Sequence, residues 1–283
     1  MNGLCLSGGG IKAAAHIGAL KALEEKNIKF DCVAGTSSGS IIAMLYALGY
    51  SSDEMYKLFL KYSKKIKNVE LINILKLIWG VLTKGKITIN GLNSGKIIEK
   101  IIKEVCKENN IYNINQIKVP ILIPMVDLQT GMTLFATSKE IRNGYSDDIK
   151  FISNMPIEKA IRASCSYPIA ISPCNYNGRQ LVDGGIRENL PWKGLKQIGA
   201  EEILGICFET NNVEENCCNN MIETAIRSIE LVCHELSNYE KEGIDKLVKI
   251  PTKKISLLDT KMIDELYKIG YKTMTECIKR EAI

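Results

Sequence analysis

The sequence predicts an α/β fold, a single domain of three layers in which helices cover a mostly parallel central sheet. One observation is a short apolar run over 3–6, followed by a glycine turn and by a helix-like stretch over 11–26. The other is a repeat of this pattern, with an apolar strand over 30–34, a turn at Gly35 and a helix over 40–49. Because strands that alternate with helices usually pair in parallel, two such units predict a buried parallel sheet.

Apolar segments later in the chain extend this pattern. Further strands are predicted over 119–126, 133–137, 180–182 and 203–208. Further helices are predicted over 94–106, 156–163, 221–236 and 262–279. No linker divides the 283 residues, and the Asn-rich stretch 211–220 predicts a surface loop. We therefore expect one domain, with a core over 1–210 that is completed by helices and a strand over 211–283.

The composition is that of an ordinary globular protein. Hydrophobic residues make up 46% of the chain and charged residues 24%, which excludes a disordered or low-complexity chain. The net charge of +5 is too small to predict nucleic-acid binding, so we expect no nucleic-acid partner. The first ten residues lack the pattern of a signal peptide, and several cysteines lie singly in apolar stretches, as reduced core residues do. Both features predict a cytoplasmic protein.

The second strand ends in a candidate nucleophile. Residues 35–39 read Gly-Thr-Ser-Ser-Gly, which matches G-x-S-x-G between a predicted strand and a predicted helix. A nucleophile elbow places its serine on a tight turn between small neighbours, so that the hydroxyl is exposed and the helix N-terminus faces developing negative charge. Ser37 is therefore the candidate nucleophile, flanked by Gly35 and Gly39. The alternative is a plain helix-capping turn.

The first turn contains three successive glycines, Gly8, Gly9 and Gly10. Consecutive N–H groups near a helix N-terminus form an anion-binding pocket, which suits an oxyanion hole in an acyl-transfer enzyme. The loop does not match a P-loop, and Ala13 stands where a dinucleotide-binding loop has its third glycine. A non-catalytic protein that binds an anion or a nucleotide is the alternative.

A serine nucleophile needs a base, and the chain has only two histidines. His234 follows Ser37 and Asp183 in the Ser-Asp-His order of α/β-hydrolases, which keeps a Ser-His-Asp esterase as an alternative. Helical phase places His234 opposite the apolar stripe of its helix, on the solvated face. The stripe comprises Ile222, Ala225, Ile226, Ile229, Val232, Cys233 and Leu236. His16 fits a packing role, so the candidate base is Asp183, which ends a short strand.

Several motifs occur in a fixed order along the chain. They lie at 7–12 with 15–18 behind it, 35–39, 126–131, 161–168, and 182–185 followed by 189–191. Together they resemble the patatin-like phospholipases, serine lipid acyl hydrolases that use a Ser-Asp dyad. The resemblance covers residues 3 to about 208, and it departs from the family pattern at Ala13, where the family often has glycine.

The resemblance implies a role for each motif residue. Ser37 would be the nucleophile, Asp183 the base, and the N–H groups of Gly8, Gly9 and Gly10 the oxyanion hole. The supporting motif residues would be Lys12, Gly35, Gly39, Gly184 and Gly185. No metal or cofactor is implied, and the expected substrate is a phospholipid or a lysophospholipid, cleaved at a carboxylic ester bond.

A lipid substrate implies contact with a membrane interface, and the apolar segment 69–82 is a candidate for this contact. The segment lies between lysine clusters over 61–86. With fourteen residues it is too short to span a bilayer of about 30 Å. One interpretation is a peripheral contact with an anionic membrane through 61–86. The other is a buried helix that covers the acyl pocket.

Overall fold

The computed structural model of the protein describes residues 1–66, 90–141, 146–209, 218–252 and 260–280. The apolar segment 69–82 lies outside the described residues, as does most of 61–86. Neither interpretation of that segment is therefore tested.

Nine strands form one sheet within the described residues. They are β1 (Asn2–Leu6), β2 (Cys32–Gly35), β3 (Ile121–Asp127), β4 (Thr133–Thr137), β5 (Ile149–Ile152), β6 (Cys174–Tyr176), β7 (Arg179–Asp183), β8 (Glu202–Glu209) and β9 (Lys246–Pro251). The main path through the sheet is β5-β4-β3-β2-β1-β8-β9, and β7 pairs with both β3 and β6. The run from β3 through β2, β1 and β8 to β9 is parallel, whereas β3 pairs with β4 and β7 in antiparallel fashion.

Eight α-helices of the described residues connect and cover these strands. They are α1 (Ala13–Glu25), α2 (Ser38–Ala47), α3 (Ser52–Ile66), α4 (Lys96–Glu108), α5 (Ile157–Ser164), α6 (Trp192–Gln197), α7 (Met221–Glu240) and α8 (Ile263–Lys279). None of these described helices is both long enough and apolar enough to cross a membrane.

Side chains on the two faces of the sheet belong to two separate apolar clusters. Leu4 and Leu6 of β1 pack in the cluster that contains the buried face of α1. Cys5, between them, packs in the other cluster with Leu195 of α6. Since alternate residues of a strand point to opposite faces, the sheet lies between two helical layers. The predicted α/β class and the mostly parallel sheet are confirmed.

The last helix is part of the same core, because α8 crosses α1 at close range. A Cβ atom on Gly18 would overlap the carbonyl of Tyr267, and one on Gly270 would overlap the carbonyl of Ala15. Glycine at both positions lets the two backbones touch. Residues beyond 211 also contribute β9, which pairs with β8.

Several predicted boundaries differ from the structure. The strand predicted over 30–34 is observed over Cys32–Gly35, because the N–H of Phe30 donates instead to the Tyr46 hydroxyl at 2.8 Å. The helix predicted over 40–49 is observed over Ser38–Ala47. The sequence patterns did not place the short strands β5 and β6, the strand β9, or the helices α3 and α6.

Helix α7 differs from the prediction in its burial. A solvated face that carries His234 implies that the opposite, apolar stripe is covered, yet the helix has no buried residue. The exposed fraction is 60% for Val232, 40% for Leu236 and 39% for Ile222. Helical periodicity shows which residues share a face, but it does not show whether a neighbouring element covers that face.

Candidate active site

Ser37 lies on a tight turn between β2 and α2. Its backbone has φ 53° and ψ −125°, an uncommon conformation for a residue with a side chain. Two side-chain hydrogen bonds help to hold the turn: the Ser37 N–H donates to Ser164 Oγ at 3.0 Å, and Ser40 Oγ donates to the Ser37 carbonyl at 2.5 Å. Ser37 is only half-buried, and it lies at the N-terminus of α2.

The glycines at both ends of this motif are required by close packing. A Cβ on Gly35 would overlap the carbonyl of Gly39. A Cβ on Gly39 would lie 2.5 Å from the carbonyl oxygen of Ser7, at the start of the glycine loop. The two motifs therefore touch through their backbones, which brings the Gly8–Gly10 loop against the Ser37 turn.

The sheet topology places Asp183 beside the same turn. Strand β2 pairs with the first residues of β3, at Ile121 and Leu122. Strand β7 pairs with the last residues of β3, and it runs back toward β2, so that Asp183 lies opposite Met125. Because β4 occupies the other edge of β3, the ends of β2 and β7 meet on one edge.

Asp183 is a buried carboxyl group, with an exposed fraction of 2%. Burial raises its pKa from 3.8 to about 7, although hydrogen bonding from the Ser37 hydroxyl and from the Gly185 N–H partly opposes this rise. The Gly185 N–H donates to Oδ1 at 2.8 Å. Within the described residues, Oδ2 makes no hydrogen bond of standard geometry. The carboxyl group thus retains an oxygen that can accept a proton.

The glycine loop lies directly against the nucleophile. A Cβ on Gly8 would lie 3.1 Å from the Cβ of Ser37. The Gly8 N–H donates to Asn189 Oδ1 at 2.9 Å. For the N–H groups of Gly9 and Gly10, the described part of the chain provides no hydrogen-bond acceptor. They open a short 3₁₀ turn, Gly10–Lys12, and are available to an anion.

The remaining supporting residues surround these groups. Lys12 ends the 3₁₀ turn and is half-buried. Gly184 begins a second 3₁₀ turn, Gly184–Ile186, and its Cα packs on Pro124, whose carbonyl oxygen would lie 2.5 Å from an added Cβ. Across the described residues, no group of three or more His, Cys, Asp or Glu side chains could hold a metal ion.

The two histidines occupy different environments. His16 is fully buried, its ring centroid lies 4.4 Å from that of Phe208, and burial lowers its pKa from 6.5 to about 4. This buried position fits the packing role predicted for it. His234 is half-buried on α7.

Three residues near the nucleophile received no role from the sequence. Ser164 accepts the Ser37 N–H, and Asn189 accepts the Gly8 N–H. Burial raises the pKa of the Cys165 thiol to about 12, while hydrogen bonds with Ser37 and Ser40 lower it. All three lie in the motif segments 161–168 and 189–191, which was the only signal for them.

The described geometry brings Ser37, Asp183 and the glycine loop together. An accessible hydroxyl faces a buried carboxyl group of raised pKa, with unoccupied N–H groups on the adjoining loop. Such a set suits transfer of an acyl group, in which a proton is removed from a hydroxyl and an oxyanion is stabilised.

The chain is similar to several known proteins. A family model for patatin-like phospholipases matches residues 4–196. Lysophospholipase NTE1 of Meyerozyma guilliermondii is 25% identical in an alignment of 302 residues with gaps, which covers 95% of this chain but only 18% of that protein. The uncharacterized protein YqhO of Bacillus subtilis is 31% identical over 196 residues, which cover 65% of this chain and 63% of YqhO.

A solved structure supports the fold. The crystal structure of VipD from Legionella pneumophila aligns with a TM-score of 0.51 and 14% identity, covering 99% of this chain and 67% of that chain. At this level of identity the likeness concerns the fold alone. Because the family model matches more than half of the sequence, the chain belongs to the patatin-like phospholipase family.

Proposed function

We propose that this protein is a lipid acyl hydrolase of the phospholipase A or lysophospholipase type. The observation that carries the proposal is the half-buried Ser37 hydroxyl beside the buried carboxyl group of Asp183. Family membership and relatives named lysophospholipase support a lipid ester as the substrate.

In the first half of the reaction, Ser37 Oγ attacks the ester carbonyl and its proton passes to Asp183. The carbonyl oxygen becomes an oxyanion, which accepts hydrogen bonds from N–H groups of the Gly8–Gly10 loop. The C–O bond to the alcohol then breaks, the alcohol takes the proton from Asp183, and the acyl group stays on Ser37.

In the second half, a water molecule attacks the acyl-enzyme and gives its proton to Asp183. The same N–H groups bind the second oxyanion. When the bond to Ser37 breaks, Asp183 returns the proton to Oγ, and the fatty acid leaves. Asp183 thus acts alternately as base and acid, which requires a pKa near the working pH, and its value of about 7 meets this requirement.

Hydrolysis of lipid vesicles by purified protein tests the proposal. We expect release of fatty acid from phospholipid or lysophospholipid, with at least about a thousandfold loss in Ser37→Ala. Ser38→Ala is the matched control, since the neighbouring Ser38 Oγ has no hydrogen-bond partner among the described residues. Activity that survives in Ser37→Ala would overturn the proposal, and lipid analysis of the products would identify the preferred substrate.

A peripheral membrane contact through 61–86 belongs to the same proposal and rests on the sequence, in which lysines flank an apolar segment. Co-sedimentation with vesicles that contain anionic lipid should weaken when Lys64 and Lys65 are replaced by glutamate. Binding that is unaffected by these changes would leave only the buried-helix interpretation.

A further inference from the structure

We infer that His16 and Asn189 are positioning residues that hold the Ser7–Gly8 peptide group at both ends, so that Gly9 and Gly10 supply the oxyanion-hole N–H groups. This inference rests on the proposed function, and it narrows the oxyanion hole from three N–H groups to two. Each residue acts through the backbone of the glycine loop.

His16 holds the carbonyl end of this peptide group. Its Nε2 lies 2.9 Å from the carbonyl oxygen of Ser7, and both residues are buried. A carbonyl oxygen can only accept, so Nε2 carries the proton and donates. Because its pKa is lowered to about 4, the imidazole is neutral and Nδ1 carries no proton at neutral pH. The ring also packs against Phe208, in a tilted contact with an interplanar angle of 32°.

Asn189 holds the N–H end. Its Oδ1 accepts the Gly8 N–H at 2.9 Å, which removes this N–H from the set available to a substrate. The backbone of Asn189 is itself held, since its N–H donates to Glu240 Oε2 at 2.9 Å. The end of helix α7 therefore supports the turn that carries Asn189.

The position of this peptide group determines where the following N–H groups point. A peptide group is planar, so fixing its carbonyl and its N–H fixes its orientation. The next two residues, Gly9 and Gly10, lack side chains and have no intrinsic preference that would keep them in place. Gly8 adjoins the Ser37 Cβ, so Gly9 and Gly10, whose N–H groups have no acceptor among the described residues, belong to the loop beside the nucleophile.

Paired substitutions test each end separately. His16→Leu removes the donor, whereas His16→Gln places an amide N–H near the position of Nε2. Asn189→Leu removes the acceptor, whereas Asn189→Asp keeps an oxygen there. We expect kcat to fall about 10- to 100-fold in both leucine variants with little change in KM, because loss of one oxyanion-hole donor costs about 100- to 1,000-fold. His16→Gln should recover most of the activity.

A transition-state analogue separates positioning from a general loss of structure. Affinity for a trifluoromethyl ketone, which forms an oxyanion on Ser37, should fall by the same factor as kcat. Affinity for a non-hydrolysable ether lipid, which forms none, should not change. Thermal unfolding reports whether each variant folds. If His16→Leu does not fold, the two Asn189 variants still test the inference.

The outcomes distinguish this inference from the proposed function. If wild-type protein hydrolyses lipid through Ser37 but the folded leucine variants keep wild-type kcat and ketone affinity, the positioning role is overturned and the function stands. Equal losses in His16→Gln and His16→Leu, with unchanged ketone affinity, would also overturn it. A wild-type protein that releases no fatty acid would refute the proposed function itself.

Discussion

Replacing Asp183 with asparagine should strongly reduce activity and at the same time stabilise the folded protein. The folded-state pKa of about 7 lies above the ordinary value of 3.8, so folding favours the protonated form. The contribution of Asp183 to the free energy of unfolding therefore falls as the pH rises from about 4 through about 7. Asparagine does not titrate, so the Asp183→Asn variant lacks this fall. Asparagine keeps an oxygen that can accept the Gly185 N–H.

The magnitude follows from the pKa. A rise from 3.8 to about 7 means that ionised Asp183 costs roughly 4 kcal/mol of stability well above pH 7, at about 1.4 kcal/mol for each pH unit. Below pH 7 only part of this cost is present. The stability of Asp183→Asn relative to wild type should grow by roughly 2 to 3 kcal/mol between pH 5 and pH 8. The activity should fall by about 100- to 10,000-fold, the usual contribution of a general base.

Urea unfolding of both proteins at a series of pH values measures this difference. Asp147→Asn removes an exposed carboxylate and is the matched control for the change of residue type. A stability difference between wild type and Asp183→Asn that stays constant from pH 5 to pH 8 would refute the reasoning, because it would mean that burial does not raise the pKa of this group.

Three further experiments test the ionisation of Asp183 in the wild type, the crossing of α1 and α8, and the role of His234. In wild type, kcat/KM should rise about tenfold per pH unit up to about 7 and then level off, since Asp183 must be ionised to act as a base; a flat profile from pH 5 to 8 would contradict this role. Gly270→Ala should lower the free energy of unfolding, measured in urea, by about 1 to 3 kcal/mol, because the new methyl group would overlap the Ala15 carbonyl. An unchanged unfolding midpoint would disprove the close crossing of α1 and α8. His234→Ala should retain kcat within about twofold in the vesicle assay, whereas inactivity of this folded variant would favour the Ser-His-Asp alternative.

The parts of the site that could be predicted are those that a short sequence motif identifies. Ser37 is marked by small residues at fixed spacing, and its positive φ follows from the tight strand-to-helix turn that such spacing indicates. Asp183 was marked only by the strand before it and the glycines after it, so its role depended on the order of the motifs. The structure explains why Asp183 lies near Ser37, since β7 pairs with the same edge of β3 as β2.

The parts that could not be predicted depend on contacts between distant residues. The hydrogen bond between Gly8 and Asn189 joins positions 181 residues apart, and no local pattern shows that one of three similar N–H groups is occupied. The exposure of Val232 on α7 likewise depends on which elements lie nearby. Strand β6 has only three residues, too few for a period-two pattern to stand out.

Labelling with a fluorophosphonate, followed by peptide mapping, tests the central claim most directly, because only an activated serine forms the covalent adduct. We expect a single adduct on Ser37 in wild-type protein, much slower labelling in Asp183→Asn and no labelling in Ser37→Ala. An adduct on another serine, or a folded wild-type protein that does not react, would contradict the assignment of Ser37 as the nucleophile.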